Sequence, residues 1–239
     1  MLRFLWTLRR DLRPSVHRLR TCNRSLSSDD SSQPSPSPSP PKKRSLPPLM
    51  DFPELVWPTV FKSMKNWIMV NFIIRPYFDR DFSMPDFVQG AKHALHVVSG
   101  KLSEGDTVGL SDWVAQECVG ELNNSLRGMS VAQRHEIRVI KEDVYFSFPY
   151  QVGVIFDEGS SDAQKRWVEI TMIFHALRGL RDMQERGESP PINLGVMPEY
   201  RGRISICNYR FIKEFTKGSE SDWTVNIVNH FKPSDMLEE

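Results

Sequence analysis

The repeat of the apolar residues changes once along this chain, and that change restricts the fold more than any motif does. Before about residue 140 the apolar side chains recur at spacings of three and four, as in helices buried on one side. From Val144 onward they alternate, as in strands with one face against a core. Helices first and strands afterwards predict an α+β domain, with the N-terminal helices packed on one face of a mostly antiparallel sheet.

The first predicted helix lies between Pro58, placed to begin it, and Pro76, placed to end it. Its apolar residues are Trp57, Phe61, Met64, Trp67, Ile68, Phe72 and Ile73, and Lys62 and Lys65 lie among them. Such a helix suits a core, a partner or a membrane surface. The second is better marked: Ser83 as N-cap, Pro85 in the first turn and Asp86 three residues on. Its apolar face is Phe87, Ala91, Ala94, Leu95, Val98 and Leu102. A third is expected to open at Ser111 and Asp112 and to fade near Gly128, with one further turn over 130–136.

Five short strands follow. Val144, Phe146 and Phe148 share one face of the first, and Val152, Val154 and Phe156 one face of the next, with Pro149 and Tyr150 between them. The third is half-buried, with Val168, Ile170, Met172, Phe174 and Ala176 inward and Glu169, Thr171 and His175 outward. In the fourth the apolar parity shifts between Ile206 and Cys207, as a bulge would cause. Trp223, Val225, Ile227 and Phe231 mark the last. The long interruption at 181–202, rich in charge, glycine and proline, is expected to be a contact loop.

Residues 1–28 hold seven Arg, one acid and leucines at roughly helical spacing, the arrangement of a mitochondrial transit peptide. Residues 29–53 read as a disordered Pro/Ser-rich linker, and 54–239 as the folded binding domain. The total charge of +1 conceals an asymmetry, because residues 1–50 carry ten Lys/Arg against three Asp, which leaves the rest near −6. That sign disfavours DNA as a partner. No apolar run approaches the roughly 20 residues that span a bilayer.

No constellation for catalysis, a cofactor or a metal emerges. His93 and His96 stand three apart without a third ligand at matching spacing, and Cys118 and Cys207 form no CxxC pair. His175 is the one histidine worth inspecting as an acid or base.

Two blocks carry a resemblance. "RPYFDRDFSMPDFVQGAKHAL" resembles the helix-entry region of the inner-membrane translocase motor-anchor family of mitochondria, and "EFTKGSESDWTVNIVNHF" is similar to the closing hairpin of one branch of it. The likeness runs from about Trp57 to Phe231. It implies a cone-shaped domain like that of nuclear transport factors, with helices against a curved sheet, in the matrix beside the inner membrane. It implies a noncatalytic adaptor or chaperone. The implied partners are the m-AAA protease and the precursor of EMRE, a single-span subunit of the calcium uniporter, whose sorting supports calcium homeostasis. A mitochondrial ribosome receptor is the alternative, with Arg201, Arg203 and Arg210 as its basic patch. A curved sheet offers a concave groove for a client segment. The expected binding residues are Phe146, Phe156, Phe174, Phe211 and Trp223 in that groove, and Trp67, Ile68 and Phe72 on the first helix. Plain core packing would use the same residues.

Overall fold

The computed structural model describes residues 44–157, 165–191, 194–195, 197–216 and 218–236. The expected transit peptide and most of the linker lie outside them. The helices come first: α1 (Val60–Ile68), a π-helical continuation (Met69–Ile74), α2 (Arg75–Tyr77), α3 (Met84–Glu104), α4 (Gln116–Arg127) and α5 (Val131–Ile137). Four strands form the sheet: β1 (Val144–Phe156), β2 (Arg166–Leu177), β3 (Ile204–Glu214) and β4 (Thr224–Phe231). They run antiparallel in the order β1-β2-β3-β4 as a curved open sheet, so the architecture is α+β.

The helix α3 is built as its sequence dictates. The Ser83 hydroxyl accepts the Asp86 N–H, and Gly105 closes the helix at φ 74°, a left-handed conformation that favours glycine. Ala91, Ala94, Leu95, Val98 and Leu102 are all buried against the sheet. By contrast α4 starts at Gln116 rather than at Ser111. The intervening backbone is used elsewhere: Val225 N–H donates to the Trp113 carbonyl and Ala115 N–H to the Val225 carbonyl, both at 2.8 Å. That rung covers the free edge of β4, and the pairing overrides the local helix signal.

The two strands expected over 144–156 are one, bent by two bulges. The register shifts between Val144 and Phe146 and again between Pro149 and Gln151, so Phe146 and Phe148 face away from the helices while Val144, Val152 and Val154 face them. The second bulge is pinned by the buried Asn66 of α1. Its amide donates to the Pro149 carbonyl at 3.0 Å and its oxygen accepts the Val152 N–H at 2.9 Å. These backbone groups belong to an edge strand and would otherwise lack partners.

The predicted bulge at Ile206/Cys207 is also absent, since β2 and β3 pair without a break. The parity shift has another cause: β3 is buried on both sides. Cys207, Tyr209 and Phe211 face the helices, whereas Ile206 packs with Phe148, Ile173 and Phe231 on the far side. A bulge lies instead where Arg210 and Phe211 meet Ile227 and Val225 of β4. Similarly β2 is not half-buried, because Thr171, Ile173 and His175 of its second face are covered too.

What covers that far face is a strap immediately N-terminal to α1. Leu46, Leu49 and Met50 join the main core, so packing starts inside the stretch expected to be linker, and the compact unit comprises Lys42–Glu239. The strap then crosses the strands and is tied by β4, β3 and β2 in turn. Asn229 of β4 accepts the Leu49 N–H, Asn208 of β3 binds both the N–H and the carbonyl of Leu55, and His175 of β2 donates to the Val56 carbonyl at 2.8 Å. Leu55 and Val56 pack on the apolar residues beneath.

The interruption at 181–202 is more ordered than a loop. It holds α6 (Leu180–Glu185) and α7 (Pro198–Arg201), and Leu180, Met183 and Leu194 form a small second core with Leu177 and Ile204. The buried Asp143 carboxylate accepts the N–H groups of Gly179, Leu180 and Arg181 at the start of α6. A last turn, α8 (Pro233–Met236), follows β4 and presents Asp235 to Ser45 at the head of the strap.

Candidate functional site

The eight residues expected to bind a partner fall into five environments. The first is the outer side of α1. Only a narrow seam of this helix faces inward, through Asn66, Val70 and Ile74. The side facing solvent carries Trp57, Val60, Phe61, Met64, Trp67, Ile68 and Phe72, with Phe61 78% and Trp67 61% exposed. Soluble domains rarely leave so much contiguous apolar surface uncovered unless it binds something.

The π-helical continuation lengthens this stripe. Five positions along an α-helix would place Phe72 about 140° away from Trp67. Here the wider turn brings the rings to 5.8 Å in an edge-to-face contact. The cause is local: Pro76 has no N–H to give, the Arg75 N–H reaches back five residues to the Val70 carbonyl, and the Asn71 amide satisfies the Trp67 carbonyl at 2.8 Å. The helix thus passes through Pro76, which was expected to stop it, and ends at Tyr77. Lys62 lies 3.7 Å over the Tyr150 ring, and with Lys65 it gives the stripe a basic flank.

The second environment is a pocket of about 460 Å³ between the first half of α3 and the ends of β3 and β4. Phe211 and Trp223 line it. They meet around Phe87, whose ring stands 5.4 Å from Phe211 and 4.8 Å from Trp223. Of the expected groove residues, these two alone share a concave wall. Asp79, Asp81 and Asp86 border the same pocket.

The remaining three do not join them. Phe174 is fully buried in the core against Tyr209, so it is a packing residue rather than a contact residue. Phe146 is half exposed on the opposite face, beside Phe148 and His175, because the first bulge of β1 turned it there. Phe156 is exposed at the far end of β1, 6.4 Å from Phe78. A single groove containing all five therefore does not form.

The titratable groups inside the molecule serve structure. His175 is surrounded by Trp57, Tyr145 and Phe146, and its desolvation lowers its pKa, so a neutral ring donates to the Val56 carbonyl. A second knot, missed in the sequence, joins Cys207, Tyr209 and His230 on neighbouring strands. His230 Nδ1 lies 3.4 Å from the Cys207 Sγ, and its Nε2 lies 2.9 Å from the Tyr209 hydroxyl. All three are fully buried under the helices; desolvation holds His230 down to about 3 and pushes the thiol and the phenol up. The knot's groups are held in their neutral forms. Among the described residues no group of three His, Cys, Asp or Glu is arranged to hold a metal ion.

Comparison with known proteins locates the chain among its relatives. It is 28% identical over 178 residues to the mitochondrial m-AAA protease-interacting protein 1 of Homo sapiens, and 26% identical to the proteins of the same name from Rattus norvegicus and Mus musculus. Each match covers 72% of this chain and 60% of the relative. The chain is similar in sequence to the m-AAA protease-interacting proteins. It spans 60% of the length of the curated relatives it matches. No family model matches the chain, and no solved structure does.

The name of these relatives describes a partner of theirs. The basic patch weighed for a ribosome is largely committed internally. The Arg203 guanidinium donates to the Arg178 carbonyl, and Arg210 is held by Glu169 and Asn226 about 23 Å further along the strand.

Proposed function

We propose that this chain is a noncatalytic adaptor of the mitochondrial matrix that associates with the m-AAA protease at the inner membrane. The observation that carries this reading is the uncovered stripe of α1. It presents six large apolar side chains, with Trp57 just before them, on an element held by a short inward seam. The names of the relatives supply the partner, and the bound stripe would lose its unfavourable contact with water. Its basic flank suits the approach to an anionic membrane surface, so membrane contact is peripheral. Among the described residues no helix is long and apolar enough to cross a bilayer.

In the same reading the adaptor shields the EMRE precursor and promotes its sorting, which supports uniporter assembly and calcium homeostasis. The aromatic pocket beside α3 is the concave surface available for such a segment. A photo-crosslinking residue at Phe61 or Trp67, used in intact mitochondria, tests the proposal. It should recover the protease, and the Trp67→Ser/Phe72→Ser variant should lose that association while unfolding at the same temperature. A chain that migrates only as a free monomer, with or without the substitutions, would overturn it.

A further inference from the structure

The pocket beside α3 combines two kinds of chemistry that seldom coincide by accident. Its walls are the rings of Phe87, Trp113, Phe211 and Trp223, and its volume of about 460 Å³ lies within the usual range for ligand pockets. Its mouth carries Asp79, Asp81 and Asp86. None of these carboxylates has an ion-pair partner among the described residues. Asp79 accepts only the Asp81 N–H, at 3.1 Å. Asp79 also borders a neighbouring hollow where Glu214, Glu220 and Asp222 outnumber Lys213, so acids predominate along the hairpin side of the mouth.

Each class of occupant can be weighed against this arrangement. An anionic amphiphile would bring its charge against three carboxylates, and like charges at such range repel. A purely apolar group would fill the walls but gain nothing from the rim. A hard cation needs converging oxygens, and these carboxylates are spread around an opening. A cation on an apolar stem satisfies both parts, since the stem lies along the rings, the charge faces their π-surfaces, and the carboxylates complete the neutralisation.

We propose that this pocket recognises a basic side chain, arginine foremost, presented by an amphipathic peptide segment. Arginine suits it best, because its planar guanidinium stacks on aromatic faces while it donates to carboxylates. The inference deepens the client-shielding half of the proposed function and rests on it. It names the residue class by which a client is held, at a surface separate from the α1 stripe.

The test uses the full chain and a fluorescein-labelled peptide of alternating leucine and arginine, compared with the same peptide carrying neutral citrulline at every arginine. Fluorescence anisotropy should show the arginine peptide binding about tenfold tighter or more, with the advantage shrinking as salt is raised. The triple variant Asp79→Asn/Asp81→Asn/Asp86→Asn should bring the arginine peptide down to the citrulline level. Trp67→Ser/Phe72→Ser should leave peptide binding unchanged. Equal binding of the two peptides, or indifference to the triple variant, would overturn the proposal. So would displacement of the arginine peptide by a neutral detergent that binds the wild type and the triple variant alike, because the pocket would then be a general apolar site. No protease takes part in the measurement, so failure of the α1 association and failure of the pocket reading are told apart.

Discussion

The stripe of α1 and the pocket beside α3 are made from the same kinds of side chain, yet they present opposite surfaces. On α1 the aromatics stand on a convex helix with Lys62 and Lys65 nearby. In the pocket they form a recess ringed by Asp79, Asp81 and Asp86. Composition alone would call both hydrophobic. Curvature and charge separate them: the convex basic stripe fits a groove or a membrane boundary, whereas the concave acidic pocket fits a projecting cation. They also differ in what they contribute to folding. Phe211 lines the pocket and supports the core at once, whereas Phe72 is 59% exposed.

The largest expected effect follows from that difference. Phe211→Ala should cost about 3–5 kcal/mol of stability in chemical denaturation, and Phe72→Ala close to nothing. Equal losses would mean that the stripe is already covered, and the contrast would break. Next comes Asn66→Ala. It strips the Pro149 carbonyl and the Val152 N–H of their partners and should cost about 2–4 kcal/mol, with faster hydrogen exchange at Val152 than at Val168. Because Asn66 anchors the stripe but lies far in sequence from the pocket walls, arginine-peptide binding should survive at temperatures where the variant remains folded.

Acid should act next. His230 is held near 3 inside the fold, below its ordinary value of 6.5, so the unfolded chain binds the extra proton as the pH falls between them. Stability is therefore full above about pH 6.5 and declines below it, by on the order of 1–2 kcal/mol between pH 7 and pH 5. His175, lowered by the same desolvation, adds in the same direction. Denaturation midpoints measured across this range check the sign; a midpoint that rises on acidification would contradict it. The smallest effect belongs to Pro76→Ala, which restores an N–H and favours a regular helical turn. Stability should change by less than about 1 kcal/mol, while the near-ultraviolet circular dichroism from the Trp67–Phe72 contact weakens.

Much of this fold was legible because some elements obey one rule at a time. The face and the N-cap of α3 follow from spacing and from Ser83, and the inward face of β2 follows from strict alternation. Other elements answer to partners far away in sequence. The late start of α4 was decided by Val225, which needed the backbone of Trp113 and Ala115. The single bent β1 was decided by Asn66, a residue 83 positions from the carbonyl it binds. The strap escaped notice because Leu46, Leu49 and Met50 are too few to show a period amid prolines and serines. The binding list mixed environments for a related reason. Alternation shows that Phe146 and Phe174 lie on faces but not which face is covered, and a bulge reverses the answer. The acids of the pocket stood in the sequence throughout. Only the fold shows that the helix entry they flank opens onto Trp223.

The strap's attachment has a mechanical consequence. Its fastenings lie on successive strands, Asn229, then Asn208, then His175. Tension applied to the chain ahead of residue 44 meets them one after another, so they yield as a zipper does rather than in parallel. A pulling force from that side would uncover Phe148, Ile173 and Ile206 while every strand pairing still held, and the next tie to the sheet would be Asn66.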